Sequence, residues 1–225
     1  MDIRELQRRI GATPDGVFGP ASRAALFATL ANLHAPAATQ ADFERVAADL
    51  GAAPKMIMAV RKVEAPRGAF DDEGRPSILF ERHVFARSTA PPGRFNGSHP
   101  ALSGKPYGAG GYGPFSAQYM RLAAACALDP GAAFKACSWG AFQVLGENAE
   151  ALHYDSAFDM AIALTVSEAA HLDCFARFVK ANGLVDELRA CRAGDAASCI
   201  PFVKRYNGPG FAEFGYHRKL AESAL

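Results

Sequence analysis

A mainly α-helical fold with a small β element is what this sequence predicts, and three observations carry the expectation. Apolar residues recur at helical spacing along most of the chain, as in Phe43, Val46, Ala47 and Leu50. Glycine and proline fall where helices should begin and end, at Gly11, Gly19-Pro20, Gly51 and Pro66. The stretch Ser77-Ile-Leu-Phe-Glu-Arg-His-Val-Phe85 instead crowds bulky apolar residues between turn-rich segments and predicts a strand.

At 225 residues the chain is long enough for one full core, or for a domain with a small module attached. Half its residues are hydrophobic and 21% are charged, the balance of a water-soluble globular protein. A net charge of +1 gives no long-range attraction to nucleic acid or to an anionic membrane surface. No apolar run approaches the ~20 residues of a membrane span, so no stable membrane insertion is expected. The amino terminus, Met-Asp-Ile-Arg-Glu-Leu, is charged and amphipathic and does not read as a secretory signal peptide. Synthesis in a cytoplasm is expected. Five cysteines (126, 137, 174, 191 and 199) with no C-x-x-C pair argue against a disulfide framework or a zinc knuckle. Cys126 and Cys174 fall on apolar stripes and should be small buried hydrophobes.

Residues 1–36 predict a miniature helical module. Asp2 and Glu5 form a capping pair, Ile3, Leu6 and Ile10 an apolar stripe, and Gly11 a stop. Pro14-Asp15-Gly16 is a turn, and Pro20 opens a second helix whose buried side is Ala25, Leu26, Leu30 and Leu33. Two short helices bury too little surface to stand alone, so the module should lean on the later part of the chain. A linker, Ala35 to Gln40, leads into residues 37–225 and the Phe43–Leu50 helix.

The next helix, Met56-Ile-Met-Ala-Val-Arg-Lys-Val-Glu-Ala65, has apolar residues on more than one face and is stopped by Pro66 and Gly68. Glu64 then lies in its last turn, where the helix dipole disfavours an ionised carboxylate. Burial would raise its pKa further, leaving a protonated acid near neutral pH, which a general acid requires. The alternative is a Glu that protrudes into solvent.

Alternation along the expected strand would put Glu81 and His83 on one face with Leu79 and Phe85. A carboxylate and an imidazole among apolar neighbours form either a structural pair or a working one. Residues 88–114 are rich in Pro and Gly and predict a long loop. Its Gly108-Ala-Gly-Gly-Tyr-Gly113 matches G-x-G-x-x-G, but no strand precedes it and Pro114 comes directly after, so a dinucleotide site is rejected. Helices are expected from Phe115, after Asp129-Pro130, across Leu172, Phe175 and Val179, and from about Phe214 to Ala224. Between them, Ser138-Trp-Gly-Ala-Phe-Gln143 holds the only tryptophan beside hydroxyl and amide groups, a combination suited to a sugar. A core tryptophan is the alternative. The six histidines show no H-E-x-x-H spacing, which argues against a zinc amidase or peptidase.

Four pieces stand in order: Val63-Glu64-Ala65; Ile78-Leu-Phe-Glu-Arg-His-Val-Phe85; Ser138-Trp-Gly-Ala-Phe-Gln143 with Gly146 and Asn148; and Tyr206-Asn-Gly-Pro-Gly210. With the glycine loop 110–113 and Gln118-Tyr119-Met-Arg121, they resemble the N-acetylmuramidase family of phage endolysins over residues 40–225. Residues 2–33, through Leu6-Gln-Arg-Arg-Ile-Gly11 and Pro14-Asp-Gly-Val-Phe-Gly-Pro20, resemble part of the peptidoglycan-binding domain of cell-wall hydrolases. The resemblance implies a lysozyme-like α+β fold. It further implies hydrolysis of the β-1,4 bond between N-acetylmuramic acid and N-acetylglucosamine, with Glu64 as general acid. Glu81 is the expected second carboxylate, with Asp71, Asp72 and Glu73 as rivals. Ser138, Trp139, Gln143, Tyr206 and Asn207 are the expected groove residues. The implied partner is a peptidoglycan glycan strand met by a monomer, without metal or cofactor. The implied route to the wall is release through a membrane hole made by another protein. A lytic transglycosylase, which forms an anhydro-sugar, and a non-catalytic wall-binding or tail protein are the rival readings.

Overall fold

The helices begin and end largely where the capping residues put them. A computed structural model describes residues 1–106 and 111–225; residues 108–110 of the rejected glycine motif lie outside the described residues. Helices α1 (Ile3–Arg9) and α2 (Pro20–Leu30) form the N-terminal pair, α1 capped by the Asp2 carboxylate and α2 opened by Pro20. A Thr39–Asp42 capping box starts α3 (Gln40–Leu50), and left-handed Gly51 ends it. Helix α4 (Pro54–Glu64) buries Met56, Ile57, Ala59 and Val60, while Met58 faces solvent, so its apolar cover is narrower than its composition suggests.

Strand β1 is only Ile78–Phe80, and helix α5 (Arg82–Ser88) starts directly after Glu81. The expected strand to Phe85 is therefore overturned. The ladder stops where Glu81 N–H reaches the Ala136 carbonyl at 2.7 Å. A helical turn then buries the adjacent Val84 and Phe85, packing the Phe85 ring 5.7 Å from Phe80. Helices α6 (Gln118–Cys126) and α7 (Pro130–Lys135) lead to β2 (Cys137–Trp139) and β3 (Val144–Leu145). The three strands form one antiparallel sheet, with Leu79 opposite Ser138 and Ser138 opposite Leu145. Helices α8 (Ala157–Leu164), α9 (Glu168–Ala181), α10 (Val185–Ala190), α11 (Ala196–Tyr206) and α12 (Tyr216–Ser223) complete a mainly α, lysozyme-like fold.

The N-terminal pair does lean on the rest of the chain: Leu6, Ile10, Leu26 and Leu30 join the same buried cluster as the later helices. Arg9 pairs with Asp159, and Asn32 Nδ2 donates to the Thr165 carbonyl at 2.9 Å. All five cysteines are buried and free, as the apolar stripes suggested for Cys126 and Cys174. Among the described residues no helix is long and apolar enough to cross a membrane.

One glycine sets the turn beneath the sheet. Gly140 has φ +70°, and a Cβ there would lie 2.6 Å from His171 Nδ1. That nitrogen accepts the Ala141 N–H at 2.9 Å, while Nε2 meets the Leu164 carbonyl at 2.6 Å. The imidazole is thus neutral, and burial lowers its pKa to about 4. Gly140→Ala combines a left-handed backbone with overpacking, and should cost ~2–4 kcal/mol. Urea unfolding should show a lower midpoint at unchanged slope; an unmoved midpoint would mean the turn relaxes freely.

Candidate active site

A cleft of about 750 Å³ opens between the sheet and the segment joining α11 to α12. Its sheet wall follows from register. Leu79, Ser138 and Leu145 form one row across the three strands and line the cleft. Trp139, one residue on, points to the opposite face: it is 1% exposed, stacks on Phe134 with centroids 5.7 Å apart, and donates its Nε1–H to the Phe134 carbonyl at 3.2 Å. The expectation of Trp139 as a groove residue is therefore corrected. Side-chain parity along a strand puts either Ser138 or Trp139 in the cleft, never both.

Glu64 lies at the C-terminal end of α4 and lines the cleft. Asn207 Nδ2 donates to its Oε1 at 2.7 Å. Behind it Val60, Val63, Phe202, Val203 and Leu220 enclose a void of only about 10 Å³. Packing on that side desolvates the carboxyl and raises its pKa to about 7, against the opposing pulls of the Asn207 amide and the Lys219 ammonium. Asn207 is placed by the end of α11, where Tyr206 stacks on Phe202 and donates its hydroxyl to the Phe142 carbonyl at 2.6 Å. Tyr206 thus contributes ring surface, its hydroxyl already engaged.

Glu81 also lines the cleft, from the position just before α5. Burial raises its pKa, opposed by a hydrogen bond from Tyr112 and the charge of Arg87. Its Oε2 lies 3.4 Å from His83 Nδ1. Glu81 and His83 thus do meet at the cleft, although through a helix start and not through a shared strand face. Gln143 sits in the left-handed region at φ 48° and spends its amide donors on the carbonyls of Gly140 (2.9 Å) and Ser77 (3.3 Å). The rivals stay away from the cleft lining: Asp71 is bound to Arg75 in a tight turn, and neither Asp72 nor Glu73 borders the opening.

Glu213, Phe214 and Tyr216 line the cleft and were not anticipated. The sequence signal was the Gly208-Pro209-Gly210 turn followed by aromatics. With α12 starting only at Tyr216, Phe214 falls in the preceding turn and stays 43% exposed. Among the described residues no group of three or more His, Cys, Asp or Glu side chains could hold a metal ion.

A helical body, a short sheet forming one cleft wall, and a desolvated carboxyl at a helix end define the lysozyme-like class. The chain belongs to the N-acetylmuramidase family, whose model matches residues 53–224. It is 35% identical over 92 residues to the endolysin of Enterobacteria phage PRD1, a match covering 40% of this chain and 60% of that relative's length. It is also similar to the crystal structure of a Burkholderia AP3 phage endolysin: the TM-score is 0.72 at 32% identity, over 99% of this chain and 92% of the other.

A pKa raised from 4.5 to about 7 has a stability consequence. Below pH 4.5 Glu64 is protonated folded and unfolded, and the shift costs nothing. Above it the unfolded chain ionises first, so stability falls as pH rises through the folded pKa. Glu64→Gln removes that cost and should stabilise the protein at pH 8, by up to ~3 kcal/mol, but hardly at all near pH 4. Chemical denaturation at the two pH values measures the difference; equal effects at both would contradict the buried acid.

Proposed function

We propose that the chain is a peptidoglycan hydrolase that cleaves the β-1,4 bond between N-acetylmuramic acid and N-acetylglucosamine. The observation that carries this reading is a carboxyl held protonated near neutral pH inside a cleft that a second carboxyl also lines. Glu64 donates its proton to the glycosidic oxygen as positive charge develops on the sugar ring. Asn207 orients Glu64 and stabilises the carboxylate left behind. Glu81 takes the proton of the attacking water, and the presence of this second carboxyl favours hydrolysis over the transglycosylase reaction, which needs only one acid. Ser138, Gln143, Tyr206 and Asn207 border the glycan.

Residues 1–36 act as a small peptidoglycan-binding-like module ahead of a catalytic domain at 37–225. The protein works as a monomer, without metal or cofactor, on the cell wall after release from the cytoplasm. Its similarity to two phage endolysins supports that setting.

Digestion of purified murein by wild type and Glu64→Gln tests the proposal. A positioned acid contributes ~10²–10⁴-fold, so the variant should lose that factor while remaining folded by circular dichroism. Wild-type products should carry reducing N-acetylmuramic ends. Products lacking the elements of water would identify a transglycosylase, and an undiminished Glu64→Gln would leave only a wall-binding role.

A further inference from the structure

On the wall of the cleft, two buried polar atoms face one another with no hydrogen-bond partner among the described residues. These are Glu81 Oε2 and His83 Nδ1, 3.4 Å apart. The side chains are 16% and 28% exposed, so each residue still borders the cleft while these particular atoms are closed to water. A buried acceptor facing a buried nitrogen is costly unless a proton lies between them. We propose that His83 is the positioning residue of the second carboxylate: one proton is shared between Glu81 Oε2 and His83 Nδ1, and its transfer to the imidazole charges Glu81 for reaction. This rests on the hydrolase reading above.

The charges around the pair permit such sharing. From α5 itself Arg87 disfavours a protonated imidazole, and from the turn after β3 Glu147 favours one. These two groups are bound to each other, Arg87 Nη2 to Glu147 Oε1 at 2.5 Å and Nε to Oε2 at 3.1 Å, so they oppose one another at His83. From the loop before α6, Tyr112 hydrogen-bonds to the Glu81 carboxyl. Burial raises the acid and lowers the base, so desolvation favours the uncharged pair over the ion pair.

Charge on the substrate reverses that preference. As the glycosidic C–O bond breaks, positive charge grows at the anomeric carbon, and a carboxylate beside it becomes favourable. The shared proton moves to His83 Nδ1, leaving Glu81 negative. Glu81 then accepts a proton from water while the water oxygen bonds to the anomeric carbon, and the leaving oxygen takes the proton of Glu64. Afterwards the pair holds two protons and Glu64 none. One proton returns to solvent, another reloads Glu64, and the cycle closes without any further reactant.

The test is the pH dependence of initial rates on solubilised murein for wild type, His83→Leu and His83→Asn. In wild type the imidazole can take the proton that Glu81 must give up, so the acid limb belongs to the pair. His83→Leu leaves Glu81 buried alone, and the acid limb should move up by about one pH unit, the low end of the effect of a neighbouring charge. His83→Asn, whose amide can donate to Oε2, should bring it back down, with the Glu64-dependent alkaline limb unmoved in both. Acid limbs that coincide in all three proteins overturn the proposal, whatever the loss of rate. Should His83→Leu not fold, ring titration of His83 by NMR replaces it: Glu81→Gln should lower the imidazole pKa, and an unchanged value overturns the pairing. Glu64→Gln is the control. If it is inactive and the limbs coincide, only the shared proton fails; if it is active, the hydrolase reading itself fails.

Discussion

Exclusion of water from one carboxyl is the constraint on which the cleft depends. Glu64 closes α4, where the helix already opposes negative charge, and the side chains of α11 and α12 fill the space behind it. One hydrogen bond, from Asn207, is too little to offset that desolvation. The carboxyl therefore keeps its proton at pH values where most glutamates have lost theirs. Such an arrangement is costly in stability, and the helix that carries it is tied to its neighbour. Arg61, one turn before Glu64, is bound at 2.7 Å to Glu168, which is itself buried at the start of α9.

Glu168 also connects the two ends of the architecture. Its second oxygen accepts the Ala38 N–H at 3.0 Å, and its own N–H donates to the Pro36 carbonyl at 3.0 Å. The segment after α2 is thus tied to the same side chain that holds α4. Together with Asn32 and the shared apolar cluster, this makes the N-terminal pair a brace for the α4 region. Its Leu6, Ile10, Leu26 and Leu30 need a partner surface, and the later helices supply it.

Much of this was legible in the sequence wherever a local rule decides the outcome. Asp2, Gly51, Pro20 and Asp129 mark helix ends because capping is a matter of a few adjacent residues. Glu64 could be placed by the Pro66 and Gly68 stop beside it. What failed were inferences that depend on pairing. The extent of β1 is set by how long its partner β2 continues, which is not written in residues 77–85. Trp139 looked like a sugar platform by composition, yet strand parity turned it inward and gave the cleft face to Ser138. Phe214, read as the start of a helix, looks like packing. The later start of α12 leaves it at the cleft.

Among the carboxyls that line the cleft, Glu64 and Glu81 are both raised, but by surroundings that differ in one respect. Glu64 is enclosed by aliphatic and aromatic carbon with a single amide donor, so its proton can leave only toward something that enters the cleft. Glu81 has a titratable neighbour, His83, which can take a proton and return it without any atom leaving the wall. An acid should hold its proton until the substrate oxygen demands it, and a base should be free of one when water must be activated. Aliphatic packing suits the first requirement and an imidazole the second. In the proposed mechanism it is that difference, and not the mere presence of carboxyls, which gives opposite roles to residues whose side chains are chemically identical.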